Sequence, residues 1–166
     1  MINLKDMHGD EHAEILGQLF EPCPTLVNYI SPLTKKNYEN WPQLIAAVRL
    51  SLNQLMENPD DERIPLIIAA HPRLGAKKVD SASSQLEQRS LQGSEDEAAQ
   101  LASLNREYEA KFPGLRYVVF VNGRPRSEIM EEMKQRIARG DIELEKRAAF
   151  DAMCDIALDR SAKLHS

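Results

Sequence analysis

The spacing of apolar residues, which is helical along almost all of the 166 residues, constrains the fold of this chain more than any other feature. Apolar side chains recur three and four positions apart over 10–20, 40–57 and 141–163, which places them on one face of a helix. The run 117–121 (Tyr-Val-Val-Phe-Val) is the only strongly β-like stretch. A single strand has no partner with which to form a sheet, so we expect an extended, buried connector there. The sequence predicts an all-α fold, a single compact domain of about eight helices.

Local signals refine this prediction. Asn40 is a suitable cap for the helix that follows it. Pro65 indicates a kink or a late start in the helix before Pro72. Ser94 with Glu97 fits a capping box, and a short helix is predicted over 84–91. In the last helix, Leu144 is expected on the apolar side.

Composition limits the classes of partner. The net charge of -5 argues against nucleic acid or an anionic membrane as the main partner. Cys23 and Cys154 lie far apart and form no CxxC motif, so we expect reduced thiols. The first residues lack the apolar core of a signal peptide, and no apolar run approaches the roughly 20 residues of a membrane span. A cytoplasmic protein is the expectation.

The segment Ala-His-Pro-Arg-Leu-Gly, from Ala70 to Gly75, carries the main candidate for proton transfer. Proline disfavours the α conformation of the preceding residue, so His71 is expected in a turn from which it can project into a cleft. Imidazole ordinarily titrates near about 6.5 and can act as acid or base. The alternative is that His71 only ends a helix. Arg73 can bind an anion, or it can be a solvated or structural residue.

Polar side chains follow on the next predicted helix. Glu87 can share a proton or a hydrogen bond with His71, and Gln88 offers donors and an acceptor to an amide-like or urea-like ligand. The hydroxyl of Ser84 lies one turn earlier on the same face. A charged surface helix is the alternative. The backbone amides of 118–121 need partners, which a polar ligand, a loop or a second subunit can supply.

Other chemistry has weak support. His8 and His12 are four residues apart, but no third ligand of the expected type is nearby, so we expect no metal site. The sequence contains no Walker loop, no GxGxxG, no GxSxG and no HExxH. Neither cysteine is beside a candidate base, so a thiol nucleophile is not expected.

Taken together, these residues resemble the OHCU (2-oxo-4-hydroxy-4-carboxy-5-ureidoimidazoline) decarboxylases of urate breakdown. The resemblance covers 16–164 and rests on His71-Pro72-Arg73-Leu74-Gly75, Ser84-x-x-Glu87-Gln88, Leu104-Asn105-x-x-Tyr108-x-x-x-Phe112 and Tyr117-Val118-Val119-Phe120-Val121-x-Gly123, with Glu128-Ile129 beyond. It implies an all-helical, cofactor-free and usually dimeric enzyme. The implied reaction is loss of CO2 from the ureidoimidazoline carboxylate to give (S)-allantoin.

The resemblance also implies roles for individual residues. His71 and Glu87 would be catalytic. The substrate-binding residues would be Pro72, Ser84, Gln88, Val119, Phe120, Val121 and Arg160. Without the resemblance, Arg160 is expected to be a surface residue beside Asp159.

Two alternatives stay open. The amphipathic helices over 40–57 and 141–163 can present grooves to a partner protein, which would make the chain a non-catalytic interaction module. A hydrolase of allantoin-like ureides on a related helical scaffold is the other.

Overall fold

The computed structural model describes residues 2–74 and 95–164. This part of the chain holds seven α-helices: α1 Gly9–Phe20, α2 Pro24–Tyr29, α3 Trp41–Leu55, α4 Arg63–Ile68, α5 Glu95–Lys111, α6 Arg126–Arg139 and α7 Ile142–Leu164. It also holds two short 3-10 helices, Leu4–Asp6 and Ser31–Lys35. The described residues contain no β-strand, so the predicted all-α fold is confirmed. The predicted helix over 84–91 and the predicted cap Ser94 lie outside the described residues.

The helix ends follow from local chemistry. The Oδ1 of Asn40 accepts a hydrogen bond from the Gln43 amide at 2.9 Å, which confirms Asn40 as the cap of α3. Pro65 lies in the first turn of α4, where a missing N–H costs no helical hydrogen bond, so the late start is confirmed. Gly140 ends α6 with a φ of 67°, a left-handed conformation that glycine adopts without strain.

Helix α7 is the element on which the others assemble. It packs against α1, α3 and α4, while α5 packs against α6. The apolar stripe of α3 is buried in the core: Leu44, Ile45, Val48, Leu52 and Leu55. The same holds for one side of α7, whose buried residues include Ala149, Phe150, Met153, Cys154, Ile156 and Ala157. These two apolar stripes therefore form core rather than the docking grooves of an interaction module.

A buried carboxylate joins three helices. Glu145, in the first turn of α7, is fully buried, and its Oε1 accepts hydrogen bonds at 2.8 Å from the Tyr108 hydroxyl of α5 and from Nε of Arg136 of α6. Its Oε2 accepts another at 2.8 Å from Arg139. The guanidinium of Arg136 also stacks on the ring of Tyr117 at 4.7 Å. A buried charge is stable only when it is paired and hydrogen-bonded, and this network meets both conditions.

We expect Glu145→Gln to lower the free energy of unfolding by about 3 kcal/mol, because it leaves the buried guanidinium of Arg136 without its counter-charge. Urea denaturation followed by circular dichroism measures this change. Glu143→Gln is the matched control, since Glu143 is exposed on the same helix turn and its replacement should change stability by less than about 0.5 kcal/mol. Equal stabilities for the two variants would contradict the structural role of the network.

Candidate active site

His71 lies in the turn that follows α4. Helix α4 ends at Ile68, and the amide of His71 still donates to the Ile68 carbonyl at 3.2 Å before Pro72 interrupts the helical pattern. The side chain is only 3% exposed. Neither ring nitrogen has a hydrogen-bond partner among the described residues. A buried polar group of this kind is costly and makes His71 a candidate for a ligand site.

Arg160, near the end of α7, is also buried, with 3% exposure. The expectation from the bare sequence that Arg160 is a surface residue is therefore wrong. Its Nη2 donates to Oε1 of Glu21 at 2.9 Å, and its Nη1 donates to the carbonyl of Leu19 at 3.3 Å. Both acceptors belong to the end of α1, so the packing of α1 on α7 holds the guanidinium inside the protein.

The positive charge of Arg160 acts on the imidazole of His71. Burial is the main cause that lowers the pKa of His71, to about 3, and the positive charge of Arg160 is the second. The ordinary value near 6.5 that the sequence suggested does not apply. His71 is therefore a neutral imidazole at pH 7, which can accept a proton, beside a cation that can bind a carboxylate.

Arg116 ties the connector to the His71 turn. Its Nη1 donates to the carbonyl of Ala69 at 2.8 Å and to that of His71 at 3.1 Å. These contacts fix the backbone that carries the imidazole. Sequence reasoning did not single out Arg116, because a contact across more than forty residues leaves no local pattern.

The connector has amides without a hydrogen-bond partner among the described residues. Residues 115–121 are in neither helix nor strand, and Val119, Phe120 and Val121 are half-buried. Within the described part of the chain, the amides of 118–121 donate no hydrogen bond. The carbonyls of Phe120 and Val121 accept hydrogen bonds from the guanidinium of Arg124 at 2.7 Å and 3.3 Å. The amides of this run can therefore bind oxygen atoms of a ligand.

The side chains near the connector belong to a second cleft. Val119 and Phe120 line a cavity of about 400 Å³ with residues of α6 and α7, including Asp151 and Asp155. His71 and Arg160 are not among the described residues that line it. Among the described residues, His71 is thus linked electrostatically with Arg160, whereas Val119 and Phe120 line a separate cavity.

The remaining predicted residues are distributed as follows. Pro72 is half-buried beside His71. Arg73 forms an exposed ion pair with Glu109 at 2.8 Å, which agrees with the structural alternative for Arg73. Ser84, Glu87 and Gln88 lie outside the described residues.

Other reactive groups play a lesser part. Both cysteines are free and buried. Burial raises the pKa of the Cys154 thiol to about 12, so this group stays protonated at pH 7 and is a poor nucleophile. Among the described residues, no group of three or more histidine, cysteine or acidic side chains could hold a metal ion. None of the described helices has both the length and the apolar character that crossing a bilayer requires.

The lowered pKa of His71 predicts a particular dependence of stability on pH. Between pH 6.5 and about 3, the unfolded chain binds a proton at this residue that the native protein does not bind. The contribution of His71 to the free energy of unfolding is therefore complete above pH 6.5 and is lost on acidification. Between about pH 6 and about pH 4, we expect wild type to lose about 1 kcal/mol per pH unit more than His71→Asn.

Urea titrations of both proteins at several pH values test this difference, and the comparison cancels the contributions of other titrating groups. The same pH dependence in both proteins would mean that His71 is not held neutral by its surroundings.

Comparison with known protein families identifies the family of this chain. The family model described as OHCU decarboxylase matches residues 5–162. No curated protein matches the sequence. The family match covers nearly all of the chain, and the family is one of carboxy-lyases. The chain therefore belongs to the OHCU decarboxylase family and is a decarboxylase.

Proposed function

We propose that this protein converts 2-oxo-4-hydroxy-4-carboxy-5-ureidoimidazoline into (S)-allantoin and CO2 in urate degradation. One observation carries this proposal: a buried, neutral imidazole without a hydrogen-bond partner among the described residues lies near a buried guanidinium. That pair suits a small anionic substrate that must also exchange a proton. The family match supports the same class of reaction.

The chemistry requires little beyond positioning and electrostatics. The bond between the ring carbon and the carboxylate breaks, and its electron pair enters the conjugated imidazoline ring. One proton, ultimately from water, replaces CO2 in the net reaction. Because the ring accepts the electrons, the proposed reaction needs no cofactor, and the protein contributes orientation and charge stabilisation.

In the proposed mechanism, Arg160 binds the substrate carboxylate or a ring carbonyl. The fixed fork of the guanidinium suits such oxygen pairs, which the point charge of a lysine serves less well. His71 takes up the proton of the ring hydroxyl and manages protonation of the ring on one face. The neutral imidazole of the free enzyme has a lone pair that can accept this proton, and an anionic substrate beside it would raise its lowered pKa towards the working pH.

In this proposal Glu87 is the second catalytic residue, and the other site residues bind the substrate. Glu87 hydrogen-bonds the substrate or His71 and fixes its orientation. Ser84 and Gln88 hold polar atoms of the ring and of the ureido group, and Pro72 shapes the wall beside His71. The free amides of 119–121 bind ring oxygens, which supposes that the substrate reaches the connector. A homodimer and a cytoplasmic location, which the sequence analysis expects, remain predictions.

The unstable substrate can be generated in place from urate with the two upstream activities, while optical rotation reports the handedness of the allantoin formed. We expect rapid formation of the (S) enantiomer by wild type. A hydrolase would consume allantoin instead, and a binding module would leave slow, racemic product. Either of these results would contradict the proposed function.

His71→Asn should lower turnover about 100-fold, because the variant keeps a polar side chain but cannot transfer the proton. The same polarimetric assay measures this loss, and circular dichroism checks that the variant is folded. His8→Asn is the matched control, since His8 is exposed before α1 and should be replaceable without effect. Undiminished turnover in folded His71→Asn would exclude the proton-transfer role.

Arg160→Lys should raise KM about tenfold, because a lysine keeps the charge but loses the paired donors of the guanidinium. Steady-state kinetics with the generated substrate measure the change. Arg147→Lys, an exposed position on α7, serves as the control and should leave KM unchanged. An unchanged KM in Arg160→Lys would remove Arg160 from substrate binding.

A further inference from the structure

The backbone at Glu21 is in a conformation that a residue with a side chain rarely adopts. Glu21 follows the last residue of α1 with φ 70° and ψ 150°. Glycine reaches this region readily, whereas other residues are strained there by about 1–3 kcal/mol. The side chain of Glu21 is nevertheless buried, with 3% exposure. Strained backbone positions of this kind are often found where the side chain has a functional role.

The carboxylate of Glu21 contacts one residue of the candidate active site, Arg160. It forms an ion pair with Arg160 at 2.9 Å, and both side chains are almost fully buried. The carbonyl of Leu19 accepts a second hydrogen bond from the same guanidinium. The end of α1 therefore fixes the plane of the guanidinium whose charge acts on His71.

We propose that Glu21 is a positioning residue of the active site, which holds the guanidinium of Arg160 in the orientation that receives the anionic group of the substrate. This inference rests on the proposed role of Arg160 in substrate binding. Glu21 acts through Arg160, and a shift of the guanidinium by about 1 Å is enough to lower the reaction rate severely.

Packing alone gives little reason for this ion pair. Helices α1 and α7 already bury apolar side chains in one core, among them Leu16, Leu19, Phe150 and Met153. Exchange of a buried ion pair for apolar residues is often neutral or stabilising, so burial of this pair is weak evidence for a role in stability. A glycine at position 21 would also remove the backbone strain. The proposed role of the guanidinium in substrate binding accounts for the pair.

The experiment combines kinetics with a double-mutant cycle. Glu21→Gln keeps the size of the side chain but removes its charge, and Glu21→Asp keeps the charge but withdraws it by one methylene. We expect each variant to lower kcat/KM about tenfold, mainly through KM, as for two coupled residues in contact. In the Arg160→Lys background, Glu21→Gln should change kcat/KM by less than about twofold. Glu14→Gln, at an exposed position of α1, is the control.

A readout that does not depend on turnover separates this inference from the proposed function. In protein labelled with ¹⁵N-arginine, we expect distinct, slowly exchanging guanidinium signals of Arg160 in wild type and in Glu14→Gln. Rotation should average these signals in Glu21→Gln. Signals that stay equally sharp in folded Glu21→Gln would overturn the inference, even if wild type failed to decarboxylate the ureidoimidazoline.

Additive effects of Glu21→Gln and Arg160→Lys on kcat/KM would likewise show that Glu21 does not act through Arg160. An inactive wild type with ordered Arg160 signals that are lost in Glu21→Gln would remove the proposed substrate but keep the positioning role.

Discussion

The candidate site depends on one buried arginine, Arg160, whose positive charge acts on His71 although the guanidinium is paired. Arg160 is held by Glu21 and by the carbonyl of Leu19, yet its positive charge still lowers the pKa of His71. A guanidinium in the protein interior interacts far more strongly with a second charge than one in water does. Because the imidazole beside it is also buried, the pair forms a neutral base next to a desolvated cation. In the proposed function, this arrangement would favour an anionic substrate.

Helix α7 connects this site with the rest of the fold. Its first turn carries Glu145, which collects Tyr108, Arg136 and Arg139 from the two neighbouring helices. Its last turns carry Arg160, which is packed against the end of α1. Helix α7 therefore carries both the buried ionic cluster, which holds three helices together, and the cation of the candidate site. The connector adds a second fixed point, since Arg116 holds the backbone of the turn that presents His71.

Much of the fold could be predicted from the sequence, because periodicity and caps are local signals. Asn40 and Pro65 lie at helix starts and Gly140 lies at a helix end. The all-α class follows from the spacing of apolar residues. Local pattern fails at the start of α7, where Leu144 is 42% exposed and Glu145 is fully buried. Periodicity cannot foresee this exchange, since the partners of Glu145 come from helices that are distant in the chain. The same limit hid Arg116 and Glu21, whose roles arise only from tertiary contacts. His71 was accessible to sequence reasoning because proline marks its turn, whereas its lowered pKa depends on burial.

A crystal structure of the protein soaked with (S)-allantoin would show where the product binds. We expect density for the heterocycle between His71 and Arg160, with one of its oxygen atoms within hydrogen-bond distance of the guanidinium. Density confined to the cleft of Val119, Phe120, Asp151 and Asp155, with His71 and Arg160 untouched, would contradict this expectation.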